Sequence, residues 1–459
     1  MTPSEVSDAA TEHRPLIALI AVAIAFFVVT SALWALFLGQ AVILKAIVIA
    51  SGASVCLLIF MEPLAGVVLF VFLLPTEGLF TYRANFTLAK AVGIIAFASF
   101  LCDAQLRRSI VRLDRQGRAI LAFTVWLGLS FLWAELKLPV VRWAVTCVQF
   151  ILLWVLLRAS VRTASDLRHL AHAFVAGTVV AVVLSVILPR TGIHRLIYQG
   201  WNPNNLARDI VISLILLLYY GGGRRPLAWL TAAGAGGLLM LALVLTQSRT
   251  GWLAAIICIP LSISRRRRTF PLVLLAAMAI LAVVMFSTEV LSAHLGITSD
   301  TIENRWQSIF HARVMRHSRL DVWRAGIILG SHNPVLGIGA GGFLVGVRDV
   351  ITRHPEFLIV RPEIDAHNSF IRIFAELGLV GLALFAAILW RCARFIARHA
   401  SSPEKMVAWA LFLATMIRMF FSSAYVEKPT WFALFFTQAI VAARAFGAPS
   451  SREPNGATE

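Results

Sequence analysis

Apolar residues in this chain fall in blocks of roughly 16–24, separated by short polar punctuation. Helices of that length cross a hydrocarbon core about 30 Å thick. With no water there to satisfy backbone groups, the helix is the default spanning element. Alternating segments of about ten residues, the units of an outer-membrane barrel, are absent from the sequence. The blocks predict spans at 15–38, 41–60, 62–80, 88–103, 118–135, 140–158, 167–188, 205–221, 226–246, 250–264, 270–289, 368–390, 405–422 and 430–446. The expected fold class is an all-α polytopic membrane protein of about 12–14 transmembrane helices, with short or Pro-bearing blocks setting the lower bound. The first block follows a polar start with no small-residue cleavage site and reads as a retained span rather than a signal peptide. Residues 290–367 break the pattern. They form one long polar segment, and its interleaved aromatics and charges, such as Trp306, His311, His317 and Trp323, predict an ordered structure on the membrane surface.

Composition sharpens this picture. Apolar residues make up 59% of the chain and charged residues 14%, where a soluble protein carries about 25% charge. The net charge of +18 invites a nucleic-acid reading, but the excess sits in short tracts such as Arg265–Arg268 and 107–118. Such tracts anchor cytoplasmic loops against anionic headgroups, and no separate basic domain exists to hold nucleic acid. Cys56, Cys102, Cys147, Cys258 and Cys392 lie in or beside apolar blocks without a CxxC pattern, as buried thiols do.

The basic residues also predict sidedness. With the N-terminus in the cytoplasm, the inside loops hold Arg107, Arg108, Arg112, Arg115 and Arg118; Arg158, Arg162 and Arg168; Arg224 and Arg225; the 265–268 tract; and Arg391, Arg394, Arg398 and Lys405. The short outside loops hold scattered singles such as Arg83, Lys137, Arg190 and Lys428, the asymmetry the positive-inside rule requires. The chain then divides into an N-terminal bundle (1–189), a span region with Arg-bearing outer loops (190–289), the long outer loop (290–367), C-terminal spans (368–446) and a cytoplasmic tail (447–459).

Three polar clusters fall on the outer face: the loop 189–208, the turn Gln247-Ser248-Arg249-Thr250, and Asp365-Ala366-His367-Asn368. Ends of several helices commonly build a ligand pocket. Arg249 reads either as a snorkelling anchor or as a planar fork for phosphate oxygens. His367 reads either as a hydrogen-bonded structural residue or as a base, since an ordinary pKa of about 6.5 suits proton abstraction. Glu363 and Asp365 lie close enough in sequence to orient it. Glu376 is expected to pair with Arg372 on one helix face. The Gly337–Gly342 run lacks Gly-Lys-Ser/Thr and is expected to make a turn or close packing rather than a phosphate loop.

The C-terminal part resembles the O-antigen ligase and O-antigen polymerase superfamily of bacterial envelope glycan enzymes. Its Arg-x-x-x-Leu motif matches Arg249-Thr250-Gly251-Trp252-Leu253, preceded by Ser248. Its His-Asn-x(9)-Gly-x-x-Gly motif matches His367-Asn368 and Gly378-Leu379-Val380-Gly381. Arg319-Leu320-Asp321-Val322-Trp323, Asn333–Gly339 and Tyr198–Ala207 resemble its other segments. The histidine motif is specific, whereas Arg-x-x-x-Leu recurs by chance at Arg316 and Leu320.

The resemblance implies a GT-C-like architecture in the bacterial inner membrane with the active site facing the periplasm. It implies glycan transfer from undecaprenyl pyrophosphate to a hydroxyl on a lipid A core or growing glycan, without cofactor or metal. In that reading Arg249 holds the pyrophosphate, aided by Arg208 or Arg195, and His367 is the base. Arg319 and Asn368 are further substrate-binding candidates. An exopolysaccharide or O-antigen polymerase fits the same motifs. A transporter or flippase would instead place ionisable groups within spans, where the blocks hold few, such as Lys45, Arg418 and Arg142.

Overall fold

Twelve of the fourteen expected spans fall on helices in the computed structural model. It describes residues 42–77, 81–82, 86–102, 114–187, 196, 202–221, 226–262, 319–354, 357, 365–399 and 402–443. The expected spans at 15–38 and 270–289 lie outside the described residues. The helices are α1 (Val42–Met61), α2 (Pro63–Leu73), α3 (Leu88–Cys102), α4 (Arg115–Leu129), α5 (Lys137–Ser160), α6 (Ala164–Ile187) and α7 (Pro203–Tyr220). They continue with α8 (Pro226–Leu245), α9 (Arg249–Ser262), α10 (Arg319–His332), α11 (Phe343–Arg353), α12 (Ser369–His399), α13 (Ser402–Phe421) and α14 (Lys428–Ala443). A two-stranded hairpin, β1 (Thr81–Tyr82) with β2 (Phe86–Thr87), joins α2 to α3.

Four described helices, α5, α6, α8 and α12, are each long and apolar enough to cross a membrane. Large apolar side chains face outward, among them Ile187, Leu227 and Ile256, each about two-thirds or more exposed. Water would penalise that surface, whereas lipid tails accept it. The centre is α14, which is apolar on every side, as a helix surrounded by others must be. Its Trp431 and Phe432 are fully buried and stack on Phe150 of α5 and Phe174 of α6, each at 4.8 Å.

Boundaries differ from expectation where local chemistry intervenes. The block 62–80 ends early as α helix: Pro75 sits in a 3-10 turn (Leu74–Thr76) that closes it. The block 368–390 runs on to His399, because Arg391, Arg394 and Arg398 continue the helix and carry their charges to its end. Within the long loop, α10 and α11 share a small core of Val322, Leu329, Phe343 and Val347, apart from the main one. Of the expected long loop, 319–354, 357 and 365–367 are described, while 263–318, 355–356 and 358–364, with Trp306, His311 and His317, lie outside the described residues.

The glycine-rich run explains its own composition. Gly378, within α12, has φ +66° and breaks the helix into two. The carbonyls freed there accept from the loop that crosses the break: Ile338 N donates to Ala375 O (3.0 Å) and Gly339 N to Glu376 O (2.8 Å). In return, Leu379 N donates to Pro334 O at 2.8 Å. A Cβ at Gly337, which has φ +70°, would lie 2.4 Å from the Glu376 carbonyl carbon. Close packing, with left-handed turns at Gly337, Gly339 and Gly341, is therefore what the run does.

Candidate active site

The antiparallel path of the helices sets the site at one end of the bundle. Helices α8 and α13 finish there, and α7, α9, α12 and α14 begin there. The α8–α9 turn is built from small polar residues that hydrogen-bond their own backbone. Thr246 Oγ1 donates to Leu243 O (2.7 Å), and Gly251 N donates to Ser248 Oγ (3.2 Å), capping α9. Gln247 adopts left-handed backbone, φ +50°. Ser248 Oγ also donates to Asn204 Oδ1 at 2.6 Å. Since Asn202 caps α7 through Asn204 N, the N-termini of α7 and α9 start side by side. Arg249 is the first residue of α9, at the positive end of its dipole.

His367 is held by both neighbours. Trp323 Nε1 of α10 donates to Ala366 O at 3.1 Å, and Asn368 Oδ1 accepts from Phe370 N and Ile371 N at 2.9 and 3.1 Å. Ser369 Oγ donates to Ser422 O at 2.8 Å, fastening the start of α12 to the end of α13. Between these anchors His367 takes φ +47°, a conformation costly for a residue with a Cβ. A buried chain of charges lies beside it. Arg372 donates to Asp365 Oδ1 (2.8 Å) and to Glu376 Oε1 (3.0 Å), and Tyr425 OH donates to Glu376 Oε2 (2.9 Å). The Arg372–Glu376 pair is the i, i+4 pair expected from sequence.

The arginines converge electrostatically. Burial holds the His367 imidazole below its usual pKa; Asp365 opposes this, and Arg319 and Arg418 reinforce it. Burial also lowers Arg319, and the Arg249 guanidinium adds to that. Arg319 and Arg418 thus act on His367, and Arg249 acts on Arg319. Burial alone would raise Glu427, but Arg418 and Arg208 override it and keep the carboxyl ionised below its ordinary range.

The predicted residues fare differently. Arg319 lies close enough to act electrostatically on His367, and Arg249 to act on Arg319. Arg208 lines a narrow cleft with Asn204, Thr250 and Arg418, but its guanidinium is already held by two carboxylates. It grips Asp209 at 2.8 and 2.9 Å and also pairs with Glu427. Asn368 caps α12. Arg195 and Glu363 lie outside the described residues.

Arg418, Asp209 and Glu427 were not among the site candidates. Arg418 donates to Glu427 and to Asn205 Oδ1, near the end of α13 and beside the start of α7. The available signal was an arginine inside an apolar block, and adjacent Arg208-Asp209 at the start of another. Such an array can hold a polyanion by its forks and keep one imidazole neutral beside it. Among the described residues, no three His, Cys, Asp or Glu side chains gather as metal ligands.

No curated protein matches the chain. Residues 234–386, about a third of it, match the family described as O-antigen ligase. The match spans Arg249, Arg319, His367, Gly378 and Gly381 but not Arg208, Arg418 or Glu427. Residues 234–386 are thus similar to the O-antigen ligase family, over a segment that holds both the Arg249 and the His367 motifs.

Proposed function

We propose that the protein moves a glycan from an undecaprenyl pyrophosphate carrier to a hydroxyl acceptor on the periplasmic face of the bacterial inner membrane. The acceptor is a lipid A core sugar, in the manner of a ligase. The observation that carries this reading is a half-buried His367, held in left-handed backbone, whose pKa is lowered by burial and by Arg319 and Arg418, with Arg249 acting in turn on Arg319. The arginines hold the pyrophosphate and stabilise the charge that develops on it. His367 takes the proton from the acceptor hydroxyl. The acceptor oxygen then bonds to the anomeric carbon as the bond from that carbon to the pyrophosphate oxygen breaks. The electron pair leaves with undecaprenyl pyrophosphate, and the anomeric centre inverts. Arg208 and Asp209 act through Glu427, which positions Arg418; Asn368 positions His367. Periplasmic placement rests on the positive-inside count, with Arg115, Arg158, Arg162, Arg391, Arg394 and Arg398 grouped at the other end of their helices.

The same chemistry with a second lipid-linked repeat as acceptor would make the enzyme a polymerase, and the glycan itself separates the two. In a deletion strain, lost lipid A-linked polymer with retained lipid-linked chains identifies a ligase. Single repeats in place of chains identify a polymerase. Complementation by His367→Ala and Arg249→Ala proteins at normal abundance, with parental glycan, would overturn the site. A cytoplasmic position for residue 367 in cysteine-accessibility mapping would overturn the placement.

A further inference from the structure

The bundle carries a second built cavity at the end away from His367. It has a volume of about 970 Å³ and lies between the start of α4 and the ends of α5, α12 and α14. That volume is at the upper end of the range for ligand pockets. Its rim holds Arg115, Arg158, Arg162, Arg391, Arg394 and Arg398 against one acid, Asp114, which pairs with Arg158. Its deeper wall is apolar and aromatic: Trp154 and Phe435 are buried and pack at 5.0 Å, and Trp390 is exposed along its side.

Charge at a membrane surface by itself anchors a loop. Two buried amides in the wall distinguish this cavity from an anchor. Gln116 and Gln438 are each 6% exposed and line it. Gln116 Nε2 donates to Ile388 O at 3.3 Å, which orients the amide. Its Oε1 is then a buried acceptor with no hydrogen-bond partner among the described residues. Such a group is costly unless a donor reaches it. A fitting occupant has an anionic head for the five rim arginines that have no carboxylate partner among the described residues, a hydroxyl for Gln116 and an apolar tail for Trp154 and Phe435.

We propose that this cavity binds one anionic glycerophospholipid with a hydroxyl-bearing headgroup, of the phosphatidylglycerol kind, from the leaflet at this end. The phosphate sits on the Arg394 and Arg398 forks, a headgroup hydroxyl donates to Gln116, and an acyl chain follows the aromatic wall. This site shares no residue with the proposed transfer site.

The test is native mass spectrometry of the full-length, delipidated protein in detergent, titrated with phosphatidylglycerol, phosphatidic acid or phosphatidylcholine. We expect one saturable equivalent of phosphatidylglycerol, weaker phosphatidic acid, which lacks the headgroup hydroxyl, and no saturable phosphatidylcholine. Gln116→Leu should bring phosphatidylglycerol down to the phosphatidic acid level. The double variant Arg394→Gln/Arg398→Gln should weaken both by about tenfold or more. Arg394→Lys/Arg398→Lys, which keeps the charge and lacks the fork, reports on the site even if the glutamine variant does not fold. Equal binding of phosphatidylcholine, unsaturable adducts, or displacement of the lipid by millimolar inorganic phosphate would each overturn the proposal. So would lysine and leucine variants that bind as the parent does.

Discussion

A Cβ built on Gly378 would lie 2.1 Å from the backbone carbonyl oxygen of Val335, so the loop and the broken helix meet main chain to main chain. That contact holds the segment between α10 and α11 against α12 at its break, eleven residues after His367. Gly378→Ala must meet both the collision and a left-handed backbone, which alone costs about 1–2 kcal/mol for a residue with a Cβ. A lower melting temperature in detergent and reduced glycan transfer are expected. Leu379→Ala, at an exposed neighbouring position, should melt and react as the parent does.

As the proposed base His367 acts in its neutral form, which burial, Arg319 and Arg418 favour by lowering its pKa. Transfer should therefore be level at neutral pH and fall only as acid protonates the ring. Asp365 pulls in the other direction. Asp365→Asn removes a charge that favours the imidazolium, so the acid limb of the kcat/KM profile should move to lower pH. A limb that stays in place or moves upward would remove His367 from the base role.

Arg249 gains its advantage from fork geometry and a fixed charge at a helix N-terminus. Arg249→Ala should lower transfer on the order of 10²–10³-fold, the usual loss for one preorganised donor at developing charge. Arg249→Lys should recover only part of this, since an ammonium lacks the planar pair of donors. Steady-state transfer by membranes matched for protein abundance separates the three forms.

Glu427 stands between Arg208 and Arg418 and accepts from both. Glu427→Gln leaves two buried guanidiniums with less neutralisation, a change that costs about 3–5 kcal/mol when one partner of a buried pair is removed. Combining it with Arg208→Gln should cost less than the sum of the single losses, because the pair is coupled. Thermal melts of the four proteins close the cycle, and strict additivity would show that Glu427 and Arg208 act independently.

Much of this protein was legible in one dimension. Apolar block length, arginine asymmetry and the spacing from His367 to Gly378 need no tertiary context. Each reflects a local requirement: a helix long enough for lipid, a charge kept out of it, a glycine where the backbone turns left-handed. Glu376 with Arg372 was legible for the same reason, since i and i+4 meet on any helix.

The partners of the arginines were not legible. Arg208 looked like a clamp, and only the approach of Glu427, 219 positions away, showed that its charge is already matched. Arg418 looked like an isolated charge in a span, until Asn205 and Glu427 were found beside it. The sequence by itself determined which groups carry charge and which helix ends bear them. Tertiary structure alone decided which charges face carboxylates and which face the histidine, because pairing depends on how helices distant in the chain lie against one another.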